Sequence, residues 1–387
     1  MAQPRPSVKE ILANPSYPDV VWKLIPSQSG KLPVAAGRGG PINIDWEMHG
    51  TGNIKLVVRE HQTHFQRDLF GLLALDHGSG EHQGDFLSSF WRETTWQRQT
   101  LKFGHDEGHK YSCLIFDNRV VTFHLTPKVT IGILGIGKSD KPLMRYSTSE
   151  MARDALELLD HIGWTSDRQL HVVGVSLGGM IAQELAYLIP ERICSLNLLS
   201  TAAFIQNTTT FIENMQTRIR MLIPKSLDRS LEDASRALFS EKWLSAPDCT
   251  NVPKAESPNV EFPPSGQYGK FSTNYERYAA HELRKRLDPN LFGRKGFILQ
   301  LIAAGWHHKS PEQLKELGDK VGRERILVLH GTEDRMITVL HGQKLIEWLQ
   351  PGTAIIKEGA CHVIMLEEEK YHNDLIENMI EKCEGLK

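Results

Sequence analysis

The chain has 387 residues, of which 40% are hydrophobic and 24% charged, an ordinary composition for a soluble globular protein built as one large domain or as a domain carrying an inserted subdomain. A formal charge of −2 without a dense basic tract argues against nucleic acid or an acidic membrane surface as the main partner. No apolar run approaches the roughly 20 residues of a membrane span, and the N-terminus lacks the apolar centre of a secretory signal. Five scattered cysteines (Cys113, Cys194, Cys249, Cys361 and Cys383) without a C-x-x-C pair read as reduced thiols of a cytoplasmic protein.

Residues 1–29 are punctuated by Pro and Ser and read as an N-terminal extension draped over the core. From residue 30 to 204 the text reads as the first part of an α/β core. KLPVAAGRGGPINIDWEMHGTGNIKLVV offers two or three short strands cut by Gly-rich turns, and YSCLIFDNR (111–119) has the pattern of a buried strand. STSEMARDALELLDHIG predicts a helix. Ser147 and Glu150 form a capping-box pair, Met151, Ala155, Leu158, Leu159 and Ile162 share one face, and Gly163 is a fitting stop. Strand LHVVGVS (170–176), helix GGMIAQELAYLI (178–189) closed by Pro190, and strand ICSLNLLST (193–201) follow. Residues 205–305 break this rhythm with polar helical text and read as a helical cap. Residues 306–387 resume it with RILVLHGTED (325–334), a helix at 339–349, strand TAIIKE (353–358) and a C-terminal helix. Strands alternating with amphipathic helices imply a mostly parallel sheet with helices on both faces.

Within this pattern, Gly174-Val175-Ser176-Leu177-Gly178 is G-x-S-x-G placed between a strand and a helix, the context that gives the motif meaning. A serine at such a corner has a strained backbone and neighbours two residues away that approach closely, so glycine suits both places. The hydroxyl then stands over the carboxyl edge of the sheet. There the helix N-terminus and the Leu177 N–H can stabilise developing negative charge. A serine hydroxyl needs a base, and the base needs an orienting acid. The loop after RILVL offers Asp334, with Glu333 as the alternative, and the loop after TAIIKE offers His362. The 28 residues between them (362 − 334) accommodate one helix and one strand, which returns both loops to the same sheet edge. The other position for the acid, after ICSLNLLST, holds no carboxylate.

HGTG (49–52), FDNR (116–119) with GIGKSDKP (135–142), GVSLGGMIAQELA (174–186), LHGTEDRMI (329–337) and GACHVIMLEE (359–368) together resemble the α/β-hydrolase superfamily, in its esterase, lactonase and aminoacrylate-hydrolase branch. The resemblance runs from about residue 32 to the C-terminus. It implies Ser176 as nucleophile, Asp334 as orienting acid, His362 as general base, no cofactor, and a small acyl substrate. Epoxide hydrolase and dehalogenase chemistry is disfavoured, because those relatives place Asp at the nucleophile position.

Two interruptions depart from the family text, at about 59–93 and 120–134. The second separates FDNR from GIGKSD. It also creates G-x-x-x-x-G-K-S at Gly132–Ser139, the signature of a phosphate-binding loop. That reading fits badly: the loop must open a helix at its Gly-Lys-Ser, and Pro142 falls in the first turn or so of such a helix. The first interruption displaces the loop that supplies the second oxyanion donor, for which Gly78 or Ser79 in LLALDHGSG could substitute. Losing one donor costs on the order of 10²–10³ in rate, so a binding module with an impaired triad is the alternative to an enzyme. The sharp junctions, and a second interruption beginning on a valine codon, which starts with GT, read as retained intron sequence; peptides from Val120–Leu134 in the native protein would exclude this. The histidine pairs His61/His64, His105/His109 and His307/His308 lack H-E-x-x-H, and no metal is expected.

Overall fold

Apolar runs of strand length and 3.6-residue periodicities alternate along the chain, and the fold follows that alternation. The structure, a computed structural model, describes residues 5–59, 96–116, 147–206, 226–287 and 303–387. The interruptions over 60–93 and 120–134, the Gly132–Ser139 match, Pro142, and the candidate donors Gly78 and Ser79 lie outside these residues.

The first part forms α1 (Val8–Leu12), β1 (Lys23–Leu24), β2 (Gln28–Val34), β3 (Ile42–His49) and β4 (Ile54–Arg59). Next come α2 (Trp96–Gln99), β5 (Tyr111–Phe116), α3 (Thr148–His161), β6 (Leu170–Val175), α4 (Leu177–Leu188) and β7 (Ile193–Leu199). Segment 226–287 holds α5 (Leu227–Leu238), α6 (Glu241–Ser245), β8 (Val260–Glu261) and α7 (Asn274–Leu287). The last part comprises α8 (Pro311–Val321), β9 (Ile326–Gly331), α9 (Val339–Leu349), β10 (Thr353–Lys357), α10 (Ile364–Glu367) and α11 (Glu369–Glu384).

Among the described residues, eight strands form one sheet in the order β10-β9-β7-β6-β4-β5-β3-β2. The β2/β3 and β3/β5 pairs are antiparallel and every other pair is parallel. The central strands read as continuous apolar runs because both faces are covered. On one face Val172, Leu196, Leu198 and Val328 meet α3, α4, α8 and α9 through Leu158, Met180, Leu314 and Leu345. On the other, Val173, Val175, Leu327 and Leu329 meet Ile376, Met379 and Ile380 of α11. Each fully buried side chain of this size contributes about 1.5–3 kcal/mol.

Helix α3 starts where the sequence places it, with Ser147 Oγ accepting from the Glu150 N–H at 3.2 Å and Gly163 at φ +74° past its end. The capping box is only half made. The Glu150 carboxylate turns instead to Arg153 (2.8 Å) and to Arg38, a long-range partner that local spacing cannot reveal. Arg38 also pairs with Asp154 (3.0 Å) and Glu157, fastening the turn after β2 to the helix.

Residues 5–24, read in the sequence as part of an extension, engage segment 226–287 as well as the core. Arg5 pairs with Glu241 at 2.7 Å, the Val8 N–H donates to Asp228 at 2.7 Å, and β1 pairs with β8. Ile11, Val20 and Trp22 are buried there, which gives this Pro-punctuated stretch its apolar anchors. Within the segment, buried Arg277 Nε donates to Asp248 Oδ2 at 2.8 Å, which also takes the Phe271 N–H at 2.9 Å. The irregular 247–273 stretch is thereby stapled to α7.

Candidate active site

The carboxyl ends of the parallel strands β4, β5, β6, β7, β9 and β10 lie along one edge of the sheet. Ser176 follows β6, Asp334 follows β9 and His362 follows β10, so all three loops leave that edge. The three residues are 3%, 4% and 0% exposed.

Ser176 has φ 54° and ψ −122°, a conformation L-residues avoid at about 1–3 kcal/mol. Its surroundings over-determine it. The Ser176 N–H donates to Leu199 O at 3.0 Å. Its carbonyl accepts from the N–H groups of Gly179 (3.0 Å) and Met180 (3.2 Å) and from the Thr201 hydroxyl (2.7 Å). A Cβ at Gly174 would lie 2.6 Å from Gly178 O and 2.8 Å from Ala182 Cβ, so a strand and helix this close require glycine there. Gly179 carries the same constraint against Thr201 (2.6 Å), a position outside the G-x-S-x-G signature. Leu177 is the first residue of α4, where a backbone N–H has no intrahelical acceptor and the helix dipole favours negative charge.

His362 Nδ1 lies 2.8 Å from Asp334 Oδ2. A carboxylate only accepts, so Nδ1 carries the hydrogen and Nε2 holds the basic lone pair; Nε2 is buried and has no partner among the described residues. Asp334 Oδ1 accepts from the N–H groups of Met336 (2.8 Å) and Ile337 (2.9 Å). Burial alone would raise this carboxyl, but the His362 charge and the hydrogen bonds from His330 and His362 outweigh it and hold it well below the usual carboxylate range. Glu333, the alternative acid, is exposed and lies 3.5 Å from Arg335.

Two neighbours stand out that motif reading passes over. His330, the penultimate residue of β9, is fully buried with Nε2 3.3 Å from Asp334 Oδ2; the only hint in the sequence is an imidazole ending an apolar strand. Glu367 accepts from the Cys361 N–H (3.0 Å) and from the Ser240 N–H at the start of α6 (2.6 Å). It sits in a Glu run that looks solvated, though its fifth place after His362 puts it on the turn of α10. Cys361 is no rival nucleophile, because burial pushes its thiol up to about 12.

Of the histidines paired in the sequence, His105, His307 and His308 have partners elsewhere and His109 is exposed. His105 bonds His49 (2.9 Å) and Pro258 O (2.8 Å), and His307 lies 2.9 Å from Thr148 Oγ1. His308 packs at a tilt against Phe204, with ring centroids 5.5 Å apart; His61 and His64 lie outside the described residues. One cluster, His171, Cys194 and Glu384, brings ligand atoms within 4.8 Å of one another. Glu384 already pairs with His171 (2.8 Å) and Lys387, and Arg325 Nη1 lies 3.8 Å from the Cys194 sulfur, so two cations occupy the place an ion would need. A cavity of about 740 Å³ between Trp22, Leu24, Ile115, Phe262 and Tyr268 touches none of the three candidate residues.

Residues 129–369 match the family described as alpha/beta hydrolase fold. The chain is 28% identical over 154 residues to a putative carbamate hydrolase, RutD, of Azorhizobium caulinodans, covering 40% of this chain and 55% of that protein. It thus spans about half the length of that relative. A 3-oxoadipate enol-lactonase of Acinetobacter baylyi is 22% identical over 287 residues, 74% of this chain and 84% of that protein. A thermophilic esterase from Thermogutta terrifontis shares the fold with a TM-score of 0.54 at 18% identity, covering 92% of this chain and 99% of that one.

Proposed function

The chain belongs to the α/β-hydrolase fold family, and on that premise we propose that it is a cofactor-free serine hydrolase cleaving a small carboxylic ester, lactone or related acyl bond. The observation that supports the reading is the placement of the strained Ser176 corner and the 2.8 Å Asp334–His362 pair at strand ends along the same sheet edge. His362 Nε2 takes the Ser176 hydroxyl proton as the oxygen attacks the acyl carbon, and the Leu177 N–H donates to the oxyanion. His362 then protonates the leaving group, and water activated by the same nitrogen releases the acid from the acyl-enzyme. Asp334 fixes the imidazole tautomer and balances the transient imidazolium. Matches to an enol-lactonase, a protein named as a putative carbamate hydrolase and a 2-hydroxymuconate semialdehyde hydrolase of Pseudomonas putida support a hydrolase, and a carbon–carbon or amide-type bond stays within reach of the same three residues. Five free cysteines, four of them buried, support the cytoplasmic location expected from the sequence.

Turnover of short p-nitrophenyl esters, with fluorophosphonate labelling and peptide mapping, tests the reading. Ser176→Ala should lower kcat on the order of 10⁴–10⁶-fold and remove the label. Turnover that survives the substitution, or a label on another residue, overturns the assignment. Ligand binding without turnover in the wild type would identify a binding module instead.

A further inference from the structure

We infer that His330 is a positioning residue for the acid of the site: it closes the turn that carries Asp334 and helps aim one carboxylate oxygen at His362. The inference rests on reading Ser176, Asp334 and His362 as a triad.

The apolar strand β9 delivers His330 fully buried at the sheet edge. Its Nε2 lies 2.6 Å from Ile337 O, and a carbonyl oxygen only accepts, so Nε2 carries the hydrogen. The same Nε2 lies 3.3 Å from Asp334 Oδ2, the oxygen that takes the His362 Nδ1 hydrogen at 2.8 Å. Residue 337 is thereby gripped twice: Asp334 Oδ1 takes its N–H at 2.9 Å and His330 holds its carbonyl. The turn from 331 to 337 is closed across its base by this imidazole. Room for the ring depends on Gly342 of α9, where a Cβ would lie 2.4 Å from His330 Nδ1.

Other polar groups near the turn are turned elsewhere. His341 of α9 bonds the Gln206 N–H and Thr338, Arg335 lies 3.5 Å from Glu333, and Glu367 of α10 takes the N–H groups of Cys361 and Ser240. Without the imidazole, Ile337 O loses its donor and Oδ2 keeps only His362 among the described residues. A carboxylate without that polar N–H group 3.3 Å away holds the His362 proton more tightly.

The experiment compares His330→Leu, His330→Gln and His330→Asn on a p-nitrophenyl ester across pH, alongside the downfield proton resonance of the Asp334–His362 hydrogen bond. The Gln amide can reach the place of Nε2; the shorter Asn amide cannot. His330→Leu should lower kcat about 10–10²-fold, the scale of a small misplacement of a reacting group, with KM within about twofold. It should also move the acidic limb of the pH profile upward and shift the downfield resonance. His330→Gln should restore the limb and most of kcat, and His330→Asn should not. If Gln and Asn behave alike, or if the limb and resonance stay put in all three variants, His330 is packing only and the inference falls. This failure differs from failure of the triad reading, which would appear in the wild type as turnover indifferent to Ser176→Ala.

Discussion

A Cβ on Gly331 would lie 2.1 Å from the carbonyl oxygen of Ala360, so the loop carrying Asp334 and the loop carrying His362 meet backbone against backbone. The contact is zipped on both sides. The Thr332 N–H donates to Lys357 O (3.0 Å), the Glu333 N–H to Ala360 O (3.0 Å), and the Gly359 N–H to Thr332 Oγ1 (2.9 Å). A methyl group at residue 331 must push the loops apart by a large fraction of an ångström or more. Gly331→Ala should therefore cost about 1–3 kcal/mol of stability, the usual scale of overpacking. It should also reduce kcat about 10²-fold by moving the acid from the base. Urea denaturation and ester kinetics on the same variant check both parts; full activity would show that the loops are set independently of this contact.

Asp334→Asn tests the acid by chemistry rather than by shape. The amide oxygen can stay with the Met336 and Ile337 N–H groups, which places the NH₂ at the position of Oδ2. There it faces His362 as a donor and forces the imidazole hydrogen onto Nε2, removing the lone pair the mechanism needs. The expected loss is on the order of 10⁴ in kcat with little change in fold. The pH dependence separates acid from base. The Asp334 carboxyl is held below its unfolded value of 3.8, so the stability it contributes is complete above about pH 4 and is lost as pH falls further. An acidic limb of activity above pH 4 in the wild type therefore belongs to another group, and an activity unaffected by Asp334→Asn would remove this residue from the site.

Much of this arrangement was legible from local text, and what was not has a common cause. Alternating apolar runs and amphipathic stretches specify strand and helix by period, which explains why β6, α4, β9, α9 and β10 lie where the sequence suggests. The order of Ser176, Asp334 and His362 fixes which strand ends carry them once the sheet is parallel. The misses are long-range. The Glu150 carboxylate leaves its capping box for Arg38, 112 residues away in sequence. Glu367 hides in a run of three acids because its two donors, Ser240 and Cys361, come from separate loops. His330 reads as one more strand residue until the turn folds back onto it. Gly78 and Ser79, offered as substitutes for the second oxyanion donor, lie outside the described residues.

Buried neutral histidines should make the protein sensitive to mild acid. Burial is the leading cause that lowers His105, His171, His307, His341 and His372, taking His307 to about 3 and His372 to about 4. Below their unfolded value of 6.5 the unfolded chain binds protons that the folded chain refuses, so stability rises with pH through this window and falls as pH drops from 6.5 toward 4. Above pH 7 both states are neutral and the effect vanishes. Urea midpoints measured from pH 7.5 to 4.5 should fall steadily, and His372→Gln should reduce the slope by up to about one proton. A flat profile would mean that these rings reach solvent in the folded state.

Glu367 joins the loop of His362 to segment 226–287, the stretch read as a cap. Its half-buried carboxylate takes the Ser240 N–H on one oxygen and the Cys361 N–H on the other. Glu367→Gln keeps the shape but can accept only on one side; the other N–H then faces an NH₂ group with no acceptor between them. Leaving a buried donor unsatisfied costs about 1–3 kcal/mol, and either α6 or the residue before His362 must shift. If the latch couples the two, kcat falls with the displaced base, and KM rises more for a bulky acyl ester that reaches the proposed cap than for an acetate. Thermal unfolding and paired kinetics on a short and a bulky ester separate the outcomes. A drop in stability with unchanged kcat and KM on both substrates would leave Glu367 a fastening of the fold with no hold on the chemistry.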